Sequence, residues 1–222
     1  MSVPPPIVEP SKGATPFAPK RRAATVEEAI LSRRSVRQFT DEPVPRALVE
    51  TILAVSSRAP SGTNIQPWKV RVLAGAVKDR ARDAMMQVCR EHGEGAHKAE
   101  FRYYPEKWRD PYLARQHWRN FEFFDAPVAL IITMDRDLEI GSWLDYGMFL
   151  QNVMLAARGE GLDTCPQAAL ANAQAVLRKE LSIPDTEIVI CGMSLGWAAD
   201  DKVNTLVTVR EPVAAFASFE GF

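Results

Sequence analysis

The run Pro127–Met134, PVALIITM, contains eight residues and no charge. Its length suits a strand, and its lack of polar alternation suits a strand buried on both faces. A chain built around such a strand must cover both sides of a sheet. Glu187–Leu195 reads as a second buried strand, and Pro67–Leu73 alternates Trp68, Val70 and Val72 against Lys69 and Arg71. A short strand is expected within Gly161–Pro166.

Helical patterns separate these strands. Thr25 and Glu28 match a capping box, with Val26, Ala29 and Ile30 behind them. A second helix starts near Pro45, carries Leu48, Ile52 and Val55 at helical spacing, and ends before Ala59–Pro60. Ala76–Glu91 reads as a polar-faced helix. Ile140–Arg158 is apolar nearly all round (Trp143, Leu144, Met148, Leu150, Val153, Met154, Leu155), as a central buried helix or one at a subunit interface would be. Asn172 is the expected cap of a short helix through Leu181. Few strands, separated by helices and preceded by a helical pair, argue for a layered α+β fold.

Prolines 4, 5, 6, 10, 16 and 19 fall in the first nineteen residues. That stretch has no apolar period and reads as an extended tail ending in the solvated charges Lys20, Arg21 and Arg22. An arm packing on a partner through Ile7, Val8 and Phe17 is the other reading. Order is expected from Thr25.

Lys and Arg total 27 against 28 Asp and Glu, a net charge of −1. This balance exerts no bulk pull on nucleic acid or an anionic membrane. No stretch approaches the roughly 20 apolar residues of a membrane span. Cys89, Cys165 and Cys191 are odd in number and widely spaced, suggesting neither a disulfide framework nor zinc. They fit a reducing compartment, hence a cytoplasmic protein. His92, His97 and His117 show no metal-ligand spacing. Glycine-loop signatures for dinucleotides or nucleoside triphosphates are absent.

Chemistry concentrates in three segments. Ser32-Arg33-Arg34-Ser35-Val36-Arg37 supplies guanidinium forks and hydroxyls matched to phosphate oxygens. In an extended segment Arg33, Ser35 and Arg37 share one face; a solvated basic helix end would carry the same residues. The loop Pro60-Ser61-Gly62-Thr63-Asn64-Ile65-Gln66-Pro67 offers amides that could recognise a polar ring, or simply turns the chain. Pro166-Gln167-Ala168-Ala169 combines a proline with small residues, allowing close backbone approach to a flat ligand.

Together, in this order and with the strand ending Gly192-Met193-Ser194-Leu195-Gly196 and the late Arg210, these segments resemble the FMN-dependent nitroreductase family from about Thr25 to Pro212. The resemblance implies a three-layer α/β/α structure around a central mixed, largely antiparallel sheet. It also implies an interlocked homodimer with FMN at the subunit interface. The domains would be a Pro-rich tail at 1–24 and an FMN-binding domain at 25–222. Arg33, Ser35 and Arg210 would hold the FMN phosphate, with Arg34 along the ribityl chain and Arg37 at the pyrimidine edge. Pro60, Ser61, Gly62 and Asn64 would reach the flavin of the other subunit. Pro166, Gln167, Ala168 and Ala169 would lie against its central ring, with a backbone N–H near N5. Thr208 stands where many relatives carry Lys, and Ala168-Ala169 where they often carry Glu-Gly.

The implied activity is ping-pong reduction of a small nitroaromatic compound by NADPH or NADH. Reduction of an enone, reductive dehalogenation, and a non-catalytic flavin-binding module are the alternatives. In the aromatic block 101–124, Tyr103, Tyr104, Trp108 and Tyr112 are candidates to line the substrate pocket, or they belong to the core. Cys165 beside Pro166 is read as a small buried hydrophobe rather than a nucleophile.

Overall fold

The computed structural model describes residues 17–93, 97–103 and 118–221. Its regular elements are α1 (Val26–Ser32), α2 (Arg46–Ser56), β1 (Lys69–Ala74), α3 (Gly75–His92), β2 (Val128–Asp135), α4 (Ile140–Gly159), β3 (Asp163–Gln167), α5 (Gln174–Leu181) and β4 (Glu187–Gly196). The strands form one sheet in the order β1-β2-β4-β3, and every neighbouring pair is antiparallel. An isolated parallel bridge from Ser35 to Thr164 supplies the mixed element.

The apolar run at 128–134 is the interior strand expected of it. Val128, Leu130, Ile132 and Met134 face α2 and α4, packing with Val49, Ile52, Tyr146, Phe149 and Val153. Ala129 and Ile131 face α3 and α5, packing with Met85, Phe121 and Leu177. Three layers follow from that parity. The register slips between Ile132 and Thr133, where Ile132 pairs with Cys191 and Thr133 with Val189. Ile190 is left as the extra residue, so Ile190 and Cys191 both turn toward the α4 side. Tyr146 ties α4 to the sheet end. Its hydroxyl accepts from the Lys69 amide at 2.7 Å and bonds the Thr133 carbonyl, and burial pushes its phenol well up.

Three expectations are corrected. Asn172 does not cap a helix: α5 starts at Gln174 after Ala173, with no side-chain cap. Residues Ala168–Ala171 tighten instead into a 3₁₀ turn that Asn172 closes, which buries Leu170 against β4. Helix α4 is not buried all round within this chain. Tyr146, Phe149, Val153 and Ala157 are interior, while Ile140 and Leu144 are 79% and 72% exposed.

The third correction concerns the chain before Thr25, which is already engaged from Phe17. Phe17 packs on a cluster holding Val36, Phe39 and Phe124. Ala23 N–H donates to the Arg158 carbonyl at 3.0 Å, and the Arg158 guanidinium donates to the Arg21 carbonyl at 2.7 Å. Lys20, Arg21 and Arg22 form exposed ion pairs with Glu42, Glu28 and Glu160. Gly161, at φ +78°, makes room for this strap, because a Cβ there would meet the Lys20 carbonyl oxygen at 2.8 Å. Beneath it Arg158 and Asp163 form a buried ion pair at 3.1 Å. Burial still pushes the Asp163 carboxyl up to about 6.

Gly192 on β4 is required by close packing. A Cβ there would lie 2.1 Å from Leu170 Cδ1 and 3.0 Å from the Leu130 carbonyl oxygen, and Leu170 is fully buried with nowhere to swing. Gly192→Ala should therefore lower the unfolding free energy by about 1–3 kcal/mol, the scale of overpacking, read as a lower denaturant midpoint.

Candidate active site

The arginine run leaves α1 as extended backbone, with Arg33 at φ −61°, ψ 132°. Ser35 bridges Thr164 of β3, and Val36 N–H donates to the Thr164 carbonyl at 3.0 Å. Extended geometry sends alternate side chains to opposite sides. Arg33 and Arg37 both act on the Cys165 thiol, and Arg33 also feels Arg210. Burial, then repulsion from Arg210, holds the Arg33 guanidinium below its ordinary range. No carboxylate among the described residues pairs with it, so the site carries uncompensated positive charge. That is the electrostatic condition for binding an anion.

Arg34 does not join this cluster. Its side chain lies near the Arg158–Asp163 pair, attracted by Asp163 and repelled by Arg158. It is 5.3 Å from the centre of the Phe17 ring and donates to the Asn204 carbonyl at 3.4 Å. Local alternation in the sequence already implies this separation.

Asn204, in the 3₁₀ turn Lys202–Thr205, holds the segment in place. Its carboxamide oxygen accepts from the Arg37 and Gln38 amides at 2.8 and 3.3 Å. Its NH₂ donates to the carbonyls of Gln38 and Ala199 at 2.8 and 2.9 Å. The side chain is buried, so the network is insulated from water. No motif reading selects this residue, because its partners on the arginine segment, Arg37 and Gln38, lie 166 or more positions away.

A cavity of about 630 Å³ opens beside the arginines, within the usual range for small-molecule sites. It is lined by Arg37, Cys165, Pro166, Ala168 and Ala169, with Asn120, Phe124 and Asn172. Lys98, Phe101, Arg102 and Tyr103 also line it. Gln167 contributes little beyond its backbone. Its side chain donates to the Asn120 carbonyl at 2.8 Å and accepts from the Ser194 hydroxyl at 2.7 Å, which locks it in the core. Cys165 is buried, with its thiol pushed up to about 12, so no thiolate nucleophile exists at neutral pH. Tyr103 is among the aromatics lining this cavity. Tyr104, Trp108 and Tyr112 lie outside the described residues.

The loop at 60–64 is absent from that lining. It stands on α4, where Gly62 N–H donates to the buried Asp145 carboxylate at 3.2 Å. Thr63, Asn64 and Gln66 all take positive φ, at 48°, 59° and 50°. Three such residues in four positions store conformational strain of the kind found at binding loops. Pro60, Gly62 and Asn64 are exposed. Arg210 is exposed too, and its guanidinium donates to the Thr208 hydroxyl at 2.6 Å.

Residues 30–197 match the nitroreductase family. The chain is 41% identical over 219 residues to a chloronitrobenzene nitroreductase of Comamonas testosteroni, covering 87% of this chain and 96% of that protein. It is 38% identical over 218 residues to a 4-nitrobenzoate reductase of Pseudomonas putida, with 88% and 96% covered. Among solved structures, the FMN and NADPH-dependent nitroreductase NfnB of a Sphigopyxis strain superposes with a TM-score of 0.82 at 33% identity. That match covers 89% of this chain and all of the other.

Replacing Asn204 by leucine removes four hydrogen bonds and leaves the Arg37 amide buried without an acceptor. The expected cost is roughly 2–4 kcal/mol of stability, from about 1 kcal/mol per bond, measured by chemical denaturation.

Proposed function

This chain belongs to the nitroreductase family, and from that premise we propose that it is an FMN flavoprotein that reduces nitroaromatic compounds with NADPH or NADH. The observation that carries the reading is the half-buried Arg33, which feels both Arg210 and the Cys165 thiol, with Cys165 and Arg37 lining a 630 Å³ cavity that also holds the small residues Ala168 and Ala169. One phosphate dianion would relieve the repulsion between Arg33 and Arg210, which is why the residues present fit the group. Arg33, Ser35 and Arg210 would hold the phosphate. Arg37, pinned at its amide by Asn204, would stand against the ring edge where negative charge grows on reduction. Ala168 and Ala169 would present backbone to the ring face, and their small side chains leave the space above it for a second ring. Arg34 is assigned to the N-terminal strap instead. Bound there, FMN supplies the redox chemistry, accepting a hydride from the nicotinamide and passing electrons to the nitro group. The protein then has no need of a nucleophile, in keeping with the protonated Cys165.

A homodimer is part of this reading. The exposed Ile140 and Leu144 on α4 are large apolar side chains that a second copy would cover. The strained, exposed loop with Pro60, Ser61, Gly62 and Asn64 stands on the same helix, positioned to complete the cavity of the partner. No helix among the described residues is long and apolar enough to cross a membrane. Three unpaired buried cysteines support a reducing, cytoplasmic setting.

The purified protein should be yellow, bleach with NADPH under anaerobic conditions and recolour with nitrobenzene, yielding hydroxylamine or amine. A colourless preparation that takes up no FMN would overturn the proposal. Arg33→Ala should weaken FMN retention by about 1.5–3 kcal/mol, the scale of a charge-assisted hydrogen bond. Unchanged flavin content after exhaustive dialysis would remove Arg33 from the site.

A further inference from the structure

The described segment 97–103 contributes to the cavity lining, and its charges are sorted. Its one acidic residue, Glu100, is not in the lining. Arg136 and Arg178 both bind the Glu100 carboxylate, the latter at 3.1 Å, and the Arg136 guanidinium holds it below the usual carboxylate range. Two further anchors flank that clamp. The His97 ring lies 4.7 Å from Phe121, with Nε2 at 3.1 Å from the Met85 carbonyl oxygen. Phe101 meets Trp143 edge-on at 4.7 Å. With positions 97 and 100 tied to other elements, Lys98, Phe101 and Arg102 are left lining the cavity.

Among the described residues the charged lining is Arg37, Lys98 and Arg102, with no carboxylate. Lys98 has no ion-pair partner among them. Lys98 and Arg102 line the same cavity as Arg37, Ala168 and Ala169 and are not among the residues assigned above to the cofactor. Tyr103 and Phe101 in the same lining supply aromatic surface. An aromatic ring stacked over Ala168 and Ala169 would therefore share the cavity with these cations. A neutral ring gains nothing from them, whereas a ring bearing a carboxylate gains a charge-assisted contact.

We propose that Lys98 forms an anion subsite that selects nitroaromatic substrates carrying a carboxylate. This inference rests on the nitroreductase reading of the same cavity. It assigns this cation to the oxidising substrate rather than to a phosphate of the nicotinamide donor.

The test uses the FMN-loaded protein and Lys98→Gln, a change at an exposed side chain remote from the flavin contacts. Benzoate and benzamide, one anionic and one neutral, are titrated against the visible spectrum of the oxidised holoenzyme. Benzoate should bind the wild type more tightly than benzamide, and Lys98→Gln should weaken benzoate alone by about three- to tenfold, the range for one partly solvated charge contact. In steady state, KM for 4-nitrobenzoate should rise by the same factor in the variant, with values for 4-nitrobenzamide and the NADPH to NADH preference unchanged. Equal loss for both amide and acid would overturn the subsite. A variant that loses only its preference for NADPH would reassign Lys98 to the donor phosphate and overturn it too. Because the benzoate titration needs no turnover, a holoenzyme that binds benzoate but reduces no nitroarene would refute the activity and leave the subsite standing.

Discussion

The antiparallel pairing of β2 with β4 is the constraint on which the other elements depend. Both strands are buried almost throughout, so their backbone groups can bond only to neighbouring strands. That pairing sets which residues face α2 and α4 and which face α3 and α5. The bulge at Ile190 then shifts the parity of β4, placing Cys191 and Met193 on the α4 side. The same register carries outward to the site. β3 pairs with β4 from Asp163 against Gly196 to Gln167 against Gly192, and the chain after Arg33 bridges to β3 at Thr164. A slip of one residue would turn Cys165 and the arginines to the wrong side.

On this scaffold the protein concentrates charge that its composition conceals. A net charge of −1 is compatible with a partly desolvated Arg33 that feels Arg210 because the balancing acids lie elsewhere. Glu100 is held by Arg136 and Arg178. Asp125 is held by Arg119, and Glu187 by Arg71 and Thr133. Each of these carboxylates has its own cation, and the cavity keeps its surplus. Like charges held together by a rigid fold form a preorganised anion site, since the repulsion is already present before the ligand arrives.

Much of this was legible in the residues. Uninterrupted apolar runs announced β2 and β4, and the alternation Arg33, Ser35, Arg37 announced a common face. Cys165 followed from an apolar environment beside a proline. Less legible were features that depend on distant partners. The Asn172 cap failed because a 3₁₀ turn and a helix cap draw on the same residue types, and burial of Leu170 against Gly192 decided between them. The strap from Phe17 to Ala24 was hidden by a proline-rich composition, yet the backbone of Arg21 and Ala23 bonds directly to Arg158.

The sequence by itself determined the kinds of element, their order and the family, because these depend on local periodicity and on short runs of residues with fixed spacing. Tertiary structure alone decided which cations share a cavity, which carboxylates are withdrawn from it, and that Asn204 and Asp145 hold the loops around it. Those outcomes turn on contacts between residues from 36 to 167 positions apart. Electrostatic energy depends on distance in space and on burial, and neither is written along the chain.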